Sequence, residues 1–282
     1  LPELFLELFI PKIGARDLQA FCIDRFMRLY PILNKILQTI LPSSLYLKLF
    51  IWKKGFEEPE LKLVYDLCDS SKISVDVGAA NGLYLAHLYP ISKECYAFEP
   101  REGALKDLKK VFSGLSSSVR FEPAALSNFE GFTELKILKS NTQLSTIEKG
   151  NLIERFGEVE LVKIPVKRLD SFQFSDAVGF IKIDVEGHEL AVLEGASGVL
   201  ERDHPHLLIE IEERHKQGSV ADIKTFLSKY GYEGYYYDEN RLIGMDHFDV
   251  ATLQRFGKKD SKYIFNFIYI HQNNVAAIAH LL

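Results

Sequence analysis

The stretch I-S-V-D-V-G-A-A-N-G at residues 73–82 decides the fold. Its first half alternates β-branched and smaller residues as far as Val77, the pattern of a short strand, and Gly78 opens a tight turn. Tyr84, Leu85, Leu88 and Tyr89 then fall on one face of a helix. A strand, a glycine turn and a helix in that order set the unpaired N–H groups of the helix start beside the strand tip, where a carboxylate or phosphate is held. Gly78 and Gly82 supply positions without a Cβ, open to positive φ or to close approach of a ligand. The plainer alternative is a buried strand followed by an ordinary turn.

The pattern does not fit the G-x-G-x-x-G turn that holds the pyrophosphate of NAD, because the second glycine of that motif is replaced by Ala80. Asp76 also lies inside the strand just before the turn, where its charge repels a pyrophosphate and suits a ligand bearing an ammonium group. The methionine part of S-adenosylmethionine is such a ligand. A second short strand at residues 94–98 ends in Glu99-Pro100, where a carboxylate holds both hydroxyls of an unphosphorylated ribose. Glu99 serves NAD equally well, so Asp76 and Ala80 carry the preference.

The chain has 282 residues, enough for one large α/β domain with an appendage. A formal net charge of -5 argues against a nucleic-acid-binding surface, which calls for a basic excess. Cys22, Cys68 and Cys95 form neither a disulfide framework nor a metal-spaced set, which favours a reducing, cytoplasmic setting. Glu3 and Glu7 interrupt the apolar start and no basic segment precedes it, unlike a signal peptide. No apolar run reaches the ~18 residues of a membrane span.

Residues 1–72 read as a helical extension, with Leu4 and Leu8 in one piece and Phe21, Phe26, Leu29, Ile32, Leu33, Ile36, Leu37 and Ile40 in the next, broken at Pro31 and Pro42. Ser43 and Ser44 are candidate caps for a third piece carrying Leu45, Leu47, Leu49, Phe50 and Trp52. Its apolar faces either pack on the α/β core or meet a membrane surface, a partner or a second copy, the first being the usual fate. Glu57-Glu58-Pro59-Glu60 starts a further helix with Leu61, Val64 and Leu67 inward.

Residues 73–282 read as the ligand-binding domain. Helix 103–112 and strand 119–122 follow Glu99, and the small-residue turn Ala124-Ala125-Leu126-Ser127 is a candidate wall for adenine. Residues 132–138 and 161–166 alternate as strands, and the polar stretch 140–149 between them is either a substrate loop or a solvated connection. Residues 178–184 form a nearly continuous apolar strand, followed by one helix carrying Leu190, Leu193 and Val199. Later strands are predicted at 207–211, 232–237 and 263–270, with a helix at 219–229; Tyr235, Tyr236 and Tyr237 are strand-formers rather than a binding box.

Asp184, Glu186, His188 and Glu189 cluster after the 178–184 strand, on the same sheet edge as the glycine turn. One of them can take the proton of an attacking hydroxyl. Asp184 with Glu210 or Glu212 can instead hold Mg²⁺, Ca²⁺ or Mn²⁺, although no tight ligand spacing supports a metal. The structural alternative is that Glu186 and Glu189 only charge the first turn of a helix. No nucleophile motif stands out, and His204, His206, His215 and His271 read as structural or surface residues. An activated methyl donor needs little machinery beyond alignment and a proton acceptor.

Six pieces in order resemble the FkbM family of S-adenosylmethionine-dependent methyltransferases: G-F-E-E-P-E (55–60), D-V-G-A-A-N-G-L-Y (76–84), A-F-E-P (97–100), A-A-L-S-N (124–128), I-P-V-K-R-L-D (164–170) and F-I-K-I-D-V-E-G-H-E-L-A-V-L-E-G-A (180–196). The resemblance implies a Rossmann-like class I methyltransferase fold: a seven-stranded, mostly parallel sheet with a final antiparallel strand and helices on both faces. It implies O-methylation of a hydroxyl on a sugar, glycan or polyketide-like metabolite, with S-adenosylhomocysteine as the other product. Onto this sequence it carries Asp76, Gly78, Ala79, Asn81, Gly82, Glu99, Ala125, Leu126 and Asp184 as cofactor residues, and Asp184, Glu186 and His188 as catalytic ones. One departure stands out: the family has Asn directly after G-A, whereas here Ala80 fills that place and Asn81 follows. Two other functions compete, a cofactor-binding scaffold that has lost turnover and an NAD-dependent oxidoreductase.

Overall fold

The computed structural model describes residues 41–54, 58–115, 118–255 and 262–282. The helical reading of residues 1–40, the motif residues 55–57, and the side chains of Ser43, Ser44 and Trp52 lie outside the described residues. Helix α1 (Ser43–Lys54) is followed by a 3₁₀ turn at Pro59–Lys62 and the short helix α2 (Val64–Leu67), so the single helix expected from Glu57 onward is two short pieces.

Strands and helices then alternate: β1 (Ile73–Val77), α3 (Leu83–Leu88), β2 (Glu94–Phe98), α4 (Glu102–Val111) and β3 (Val119–Glu122). Four strands follow in sequence, β4 (Ala125–Leu126), β5 (Gly131–Leu138), β6 (Ser145–Thr146) and β7 (Val159–Lys167). Alternation resumes with β8 (Val178–Ile183), α5 (Glu189–Glu194), α6 (Ser197–Asp203), β9 (His206–Glu210), α7 (Ser219–Ser228) and β10 (Tyr232–Asp238). The chain ends with β11 (Arg241–Gly244), α8 (Val250–Leu253), β12 (Asn266–His271) and a 3₁₀ segment, Gln272–Leu281, that the sequence did not predict.

The main sheet has the order β11-β10-β12-β9-β8-β1-β2-β3. Pairing is parallel from β3 to β9, while β12 runs antiparallel to both β9 and β10. The expected seven strands with a final antiparallel one are present, and an eighth is added because β10 turns back on itself. Glu239 and Asn240 make that turn at φ 47° and 67°, the left-handed pair whose twist matches a two-residue hairpin.

A second difference is larger. Strands β4 to β7 form a separate four-stranded sheet, β4-β7-β5-β6, where the family pattern implied a single sheet. Alternation marks residues as strand but carries no information on which edge they join. The polar stretch between β5 and β7 contributes β6, which pairs Lys136 with Thr146 and Ile137 with Ser145.

The helix expected after residue 184 is also broken in two. At Gly195 a Cβ would lie 1.9 Å from the Ser127 carbonyl oxygen, so only glycine lets the chain pass. Helix α6 restarts under a cap supplied from elsewhere: the Asp170 carboxylate accepts the backbone N–H of Gly198 at 3.1 Å and of Val199 at 3.0 Å. The aspartate of the I-P-V-K-R-L-D motif is therefore a helix cap.

Every position of β1 is buried, as expected for a strand covered on both faces. One face packs Val75, Ile181, Ile209 and Phe267 under α5 to α7. The other packs Ala97, Phe180, Leu208 and Ile268 under Leu85, Leu88 and Phe112, together with Tyr46 and Leu47 of α1 and Leu61, Val64 and Leu67. The described part of the N-terminal extension thus completes one core layer.

The Gly195 passage predicts that Gly195→Ala destabilises the fold by roughly 1–3 kcal/mol, the cost of forcing extra volume into a packed site. Urea denaturation measures it, and wild-type stability in the variant would show that Ser127 and Gly195 separate freely.

Candidate active site

A cavity of about 360 Å³ opens at the carboxyl ends of the main-sheet strands, the usual ligand position in such sheets. Its lining includes Asp76, Gly78, Ala79, Ala80 and Asn81 from the glycine turn, Glu99 and Arg101 after β2, and Ala125 and Leu126 of β4. It also includes Asp184, Glu186 and His188 after β8, with Gln143 to Ile147 of the polar stretch. The sequence-predicted residues therefore meet in one place, with the exception of Gly82. That glycine faces α4, where a Cβ would stand 2.6 Å from Leu108 Cδ2, and its φ of +82° starts α3. It shapes the turn from behind.

The turn is built by close approach. Gly78 has φ +82°, and a Cβ there would lie 1.9 Å from the carbonyl oxygen of Asp184. The N–H groups of Gly78 and Ala79 both donate to the Phe98 carbonyl, at 3.0 and 3.1 Å, pinning β1 to β2 at their tips. Ala80 sits at φ 45°, a left-handed conformation in which asparagine is at ease and alanine is strained. Its N–H donates to Glu99 Oε2 at 3.0 Å, and Asn81 Oδ1 accepts the Leu83 N–H at 3.0 Å, closing an Asx turn that leads into α3. The Ala80-Asn81 departure thus leaves the left-handed place to an alanine and gives the asparagine a turn-forming role.

Glu99 is buried and held by Arg101, whose Nε and Nη2 donate to its two oxygens at 2.9 and 2.8 Å. The same guanidinium donates from Nη1 to the Thr142 carbonyl, tying the polar stretch to the tip of β2. Asp76 is 2% exposed and its Oδ2 has no hydrogen-bond partner. Burial pushes its carboxyl up to about 7, against the pull of nearby Lys182.

Lys182 is the charged residue that the apolar reading of residues 178–184 passed over. It is buried, with its Nζ 3.2 Å from Asn266 Oδ1 and 4.7 Å from the centre of the Tyr84 ring. Burial pulls its pKa down, yet Asp184, Glu210, Glu58 and Asp76 more than offset this and the net shift is upward. Asp184 is raised by burial, opposed by Lys182 and reinforced by Glu186. Glu58 accepts hydrogen bonds from the Tyr84 hydroxyl at 2.5 Å and from Asn266 Nδ2 at 3.0 Å, bringing the N-terminal segment to the cavity wall.

Residues 140–149 are a wall of the site rather than a solvated connection. Glu148 Oε2 lies 3.2 Å from His188 Nδ1, and Ser127 Oγ lies 2.9 Å from His188 Nε2. The imidazole is therefore spanned on both sides, and its hydrogen bond holds the Glu148 carboxyl down at about 2. Thr146 Oγ1 and Asn151 Nδ2 donate to the Glu186 carbonyl at 2.9 and 2.8 Å, fixing Glu186 at φ 55°. Glu189 does what its helix-start position suggests, accepting the Gly187 N–H at 2.7 Å.

Of the four histidines read as structural or surface residues, His215 is buried, with Nε2 3.0 Å from Glu186 Oε2 and 3.6 Å from Glu212 Oε1. His206, by contrast, hydrogen-bonds the Leu67 carbonyl, and His204 stacks on His271 with ring centres 3.8 Å apart. Among the described residues no three His, Cys, Asp or Glu side chains are placed to hold a metal ion. Glu212 is taken up by Arg214 and Tyr263, each at 2.5 Å. Burial pushes the thiols of Cys68 and Cys95 up to about 12, far from a nucleophilic thiolate. No helix among the described residues is long and apolar enough to cross a membrane.

A doubly wound sheet with a glycine turn after β1, an acid closing β2 and an acidic cluster after β8 is the arrangement of a Rossmann-like fold. The chain belongs to the FkbM methyltransferase family, whose domain profile matches residues 76–233. It is 28% identical to methyltransferase sdnD of Sordaria araneosa over 228 residues, covering 65% of this chain and 82% of that one. Among solved structures it is similar to methyltransferase FkbM from Methylobacillus flagellatus KT, at 18% identity and a TM-score of 0.46, over 87% of this chain. That match spans 60% of the bacterial protein's length. An rRNA methylase from Streptococcus thermophilus is 15% identical over 76% of this chain and 95% of its own, with a TM-score of 0.44.

Two predictions follow from the turn. In the folded chain Asp76 titrates near 7 against an ordinary 3.8, so its carboxyl favours the fold at low pH and loses that contribution as pH rises through both values. Relative to wild type, Asp76→Asn should gain roughly 2–4 kcal/mol of stability between pH 4 and pH 8, read by urea denaturation; a gap independent of pH would contradict the assigned burial. Ala80→Asn should raise stability by about 1 kcal/mol by relieving the left-handed alanine, measured in the same way.

Proposed function

We propose that this methyltransferase moves a methyl group from S-adenosylmethionine to a hydroxyl oxygen of a small-molecule or glycan acceptor, a sugar or a polyketide-like metabolite. The observation that carries this reading is the convergence of three acidic strand tips, Asp76, Glu99 and Asp184, on one cavity. The residues fit the donor: Asp76 presents a buried oxygen without a hydrogen-bond partner, which the ammonium of a methionine moiety satisfies.

Asp76, Gly78, Ala79 and Asn81 would hold the methionine end and Ala125 and Leu126 the adenine, while ribose hydroxyls would reach Glu99 by displacing one of the four N–H groups, from Ala80 and Arg101, that its oxygens accept. When bound, the donor supplies a methyl group already activated on a sulfonium. Proton acceptance then falls to Asp184 or Glu186, because both ring nitrogens of His188 face protein partners. His188 instead joins the 140–149 wall to β4. Carboxyl groups raised toward neutrality, as Asp184 is by burial, are suited to general base work. A nucleic-acid acceptor is disfavoured by the net charge of -5, and the free thiols at Cys68 and Cys95 support a cytoplasmic setting.

Calorimetry with S-adenosylmethionine, S-adenosylhomocysteine and NAD tests the donor, and labelled methyl transfer to a panel of glycans and polyhydroxylated metabolites tests the acceptor. Asp184→Asn and Glu186→Gln should each lower turnover by about 10²-fold or more with S-adenosylhomocysteine affinity nearly kept. His188→Ala should also lower turnover, through loss of order in residues 140–149. Cofactor binding without transfer to any hydroxyl would favour the scaffold, and unchanged turnover in the two acid variants would remove both from the reaction.

A further inference from the structure

We infer that His215, on the turn after β9, is a positioning residue for methyl transfer, holding the Glu186 carboxylate as the group that receives the acceptor's proton. The inference rests on the hydroxyl-methylation reading above. Glu186 lines the cavity, and its backbone is fixed in a left-handed conformation by Thr146 and Asn151. Such strain persists only where surrounding contacts over-determine it, and it gathers at functional sites. Its Oε2 is turned from solvent toward His215 Nε2, 3.0 Å away, yet no aligned hydrogen-bond donor saturates it. The contact is thus a close ion pair that leaves a lone pair unspent, while the side chain keeps 15% exposure.

The electrostatic need for such a partner is visible around it. Asp184 and Glu210 are both raised by burial, and each is raised further by Glu186. A carboxylate added to that crowd draws a proton unless a cation compensates it. Lys182 is committed to the neighbouring acids, and the positive charges beside Glu186 are those of Arg214, which is held by Glu212, and of His215 when protonated. Burial pulls the imidazole's pKa down, but Glu186 and Glu212 more than offset this against the opposing charge of Arg214, and the net shift is upward. Asp184 and Glu189 face it as well. Glu212 Oε1 approaches the same Nε2 at 3.6 Å, and Glu212 is itself fixed by Arg214 and Tyr263. The backbone and Cβ of His215 are packed against Gly187, where an added Cβ would stand 3.2 Å from His215 Cβ, so the base of the side chain is set by the same turn that carries Glu186.

In the reaction the acceptor's O–H bond breaks as its oxygen bonds the methyl carbon, and the proton passes to Glu186. The electron pair of the broken carbon–sulfur bond stays on sulfur and cancels its positive charge. The imidazole holds the Glu186 carboxylate in place at the cavity lining while the proton is transferred.

The test uses the full chain with the acceptor found in the panel. His215→Leu should lower turnover at pH 7 by about tenfold and move the acid limb of the rate profile up by about one pH unit, so that activity recovers in alkali. His215→Lys, which restores a cation, should recover part of the loss, and S-adenosylhomocysteine affinity by calorimetry should hold in both. A loss that is uniform across pH, or that follows cofactor affinity, overturns the inference, as does wild-type turnover in His215→Leu. One arm needs no acceptor: His215 should titrate above an ordinary histidine by NMR, and its midpoint should fall in Glu186→Gln. An ordinary, unmoved midpoint sinks the pairing outright. Failure of every hydroxyl acceptor with wild-type protein sinks the parent reading instead, and is told apart because the NMR arm still reports on the pair.

Discussion

The site depends on one ammonium group placed where water cannot reach it. Lys182 lies in the middle of a parallel strand that is otherwise apolar, and removing its hydration costs several kcal/mol unless charge and hydrogen bonds replace it. Asp184 on its own strand, Asp76 on β1, Glu210 on β9 and Glu58 from the N-terminal segment supply the charge. Asn266 of β12 accepts its hydrogen bond, and the Tyr84 ring of α3 lies within cation–π range. Five separate segments are thus drawn to one point. Burial raises the carboxyls of Asp76, Asp184 and Glu210, and because the acids on this floor outnumber the cation, their mutual repulsion adds to that rise. A donor bearing two positive centres is well matched to such a floor.

Around this floor the molecule adds a wall made of different material. The second sheet and residues 140–149 reach the cavity through side chains and single tethers rather than through the main hydrogen-bonded ladder. Arg101 binds the Thr142 carbonyl, His188 bridges Glu148 and Ser127, and Thr146 and Asn151 seize the Glu186 carbonyl. Each tether joins a cavity-lining residue, Arg101, His188 or Glu186, to the wall, so the geometry of one half informs the other.

How much of this was legible in the sequence follows from the range of each interaction. Asp76, Gly78 and Glu99 could be read because a strand, its turn and the following helix are local, and local sequence fixes where they point. The doubly wound core was legible for the same reason. The second sheet was half legible: 132–138 and 161–166 alternate as strands, but alternation is silent on the partner. The break at Gly195 was hidden because its cause, the Ser127 carbonyl, is distant in sequence. Lys182 left a signal that was passed over, a lone charge in an apolar run. Glu148 and His215 left none, because their roles arise from neighbours that the fold brings from 40 and 29 residues away respectively, as the Glu148–His188 and His215–Glu186 contacts show.

Among the described residues the two sheets share no hydrogen-bonded edge. Residues 127–168 can therefore lengthen, shorten or change their chemistry without moving a single ladder bond of the main sheet. The main sheet is then a chassis that leaves the second sheet free to vary. Diversity of acceptors within such a family would then be written in those forty or so residues, while selection on the Lys182 floor stays silent about what is being methylated.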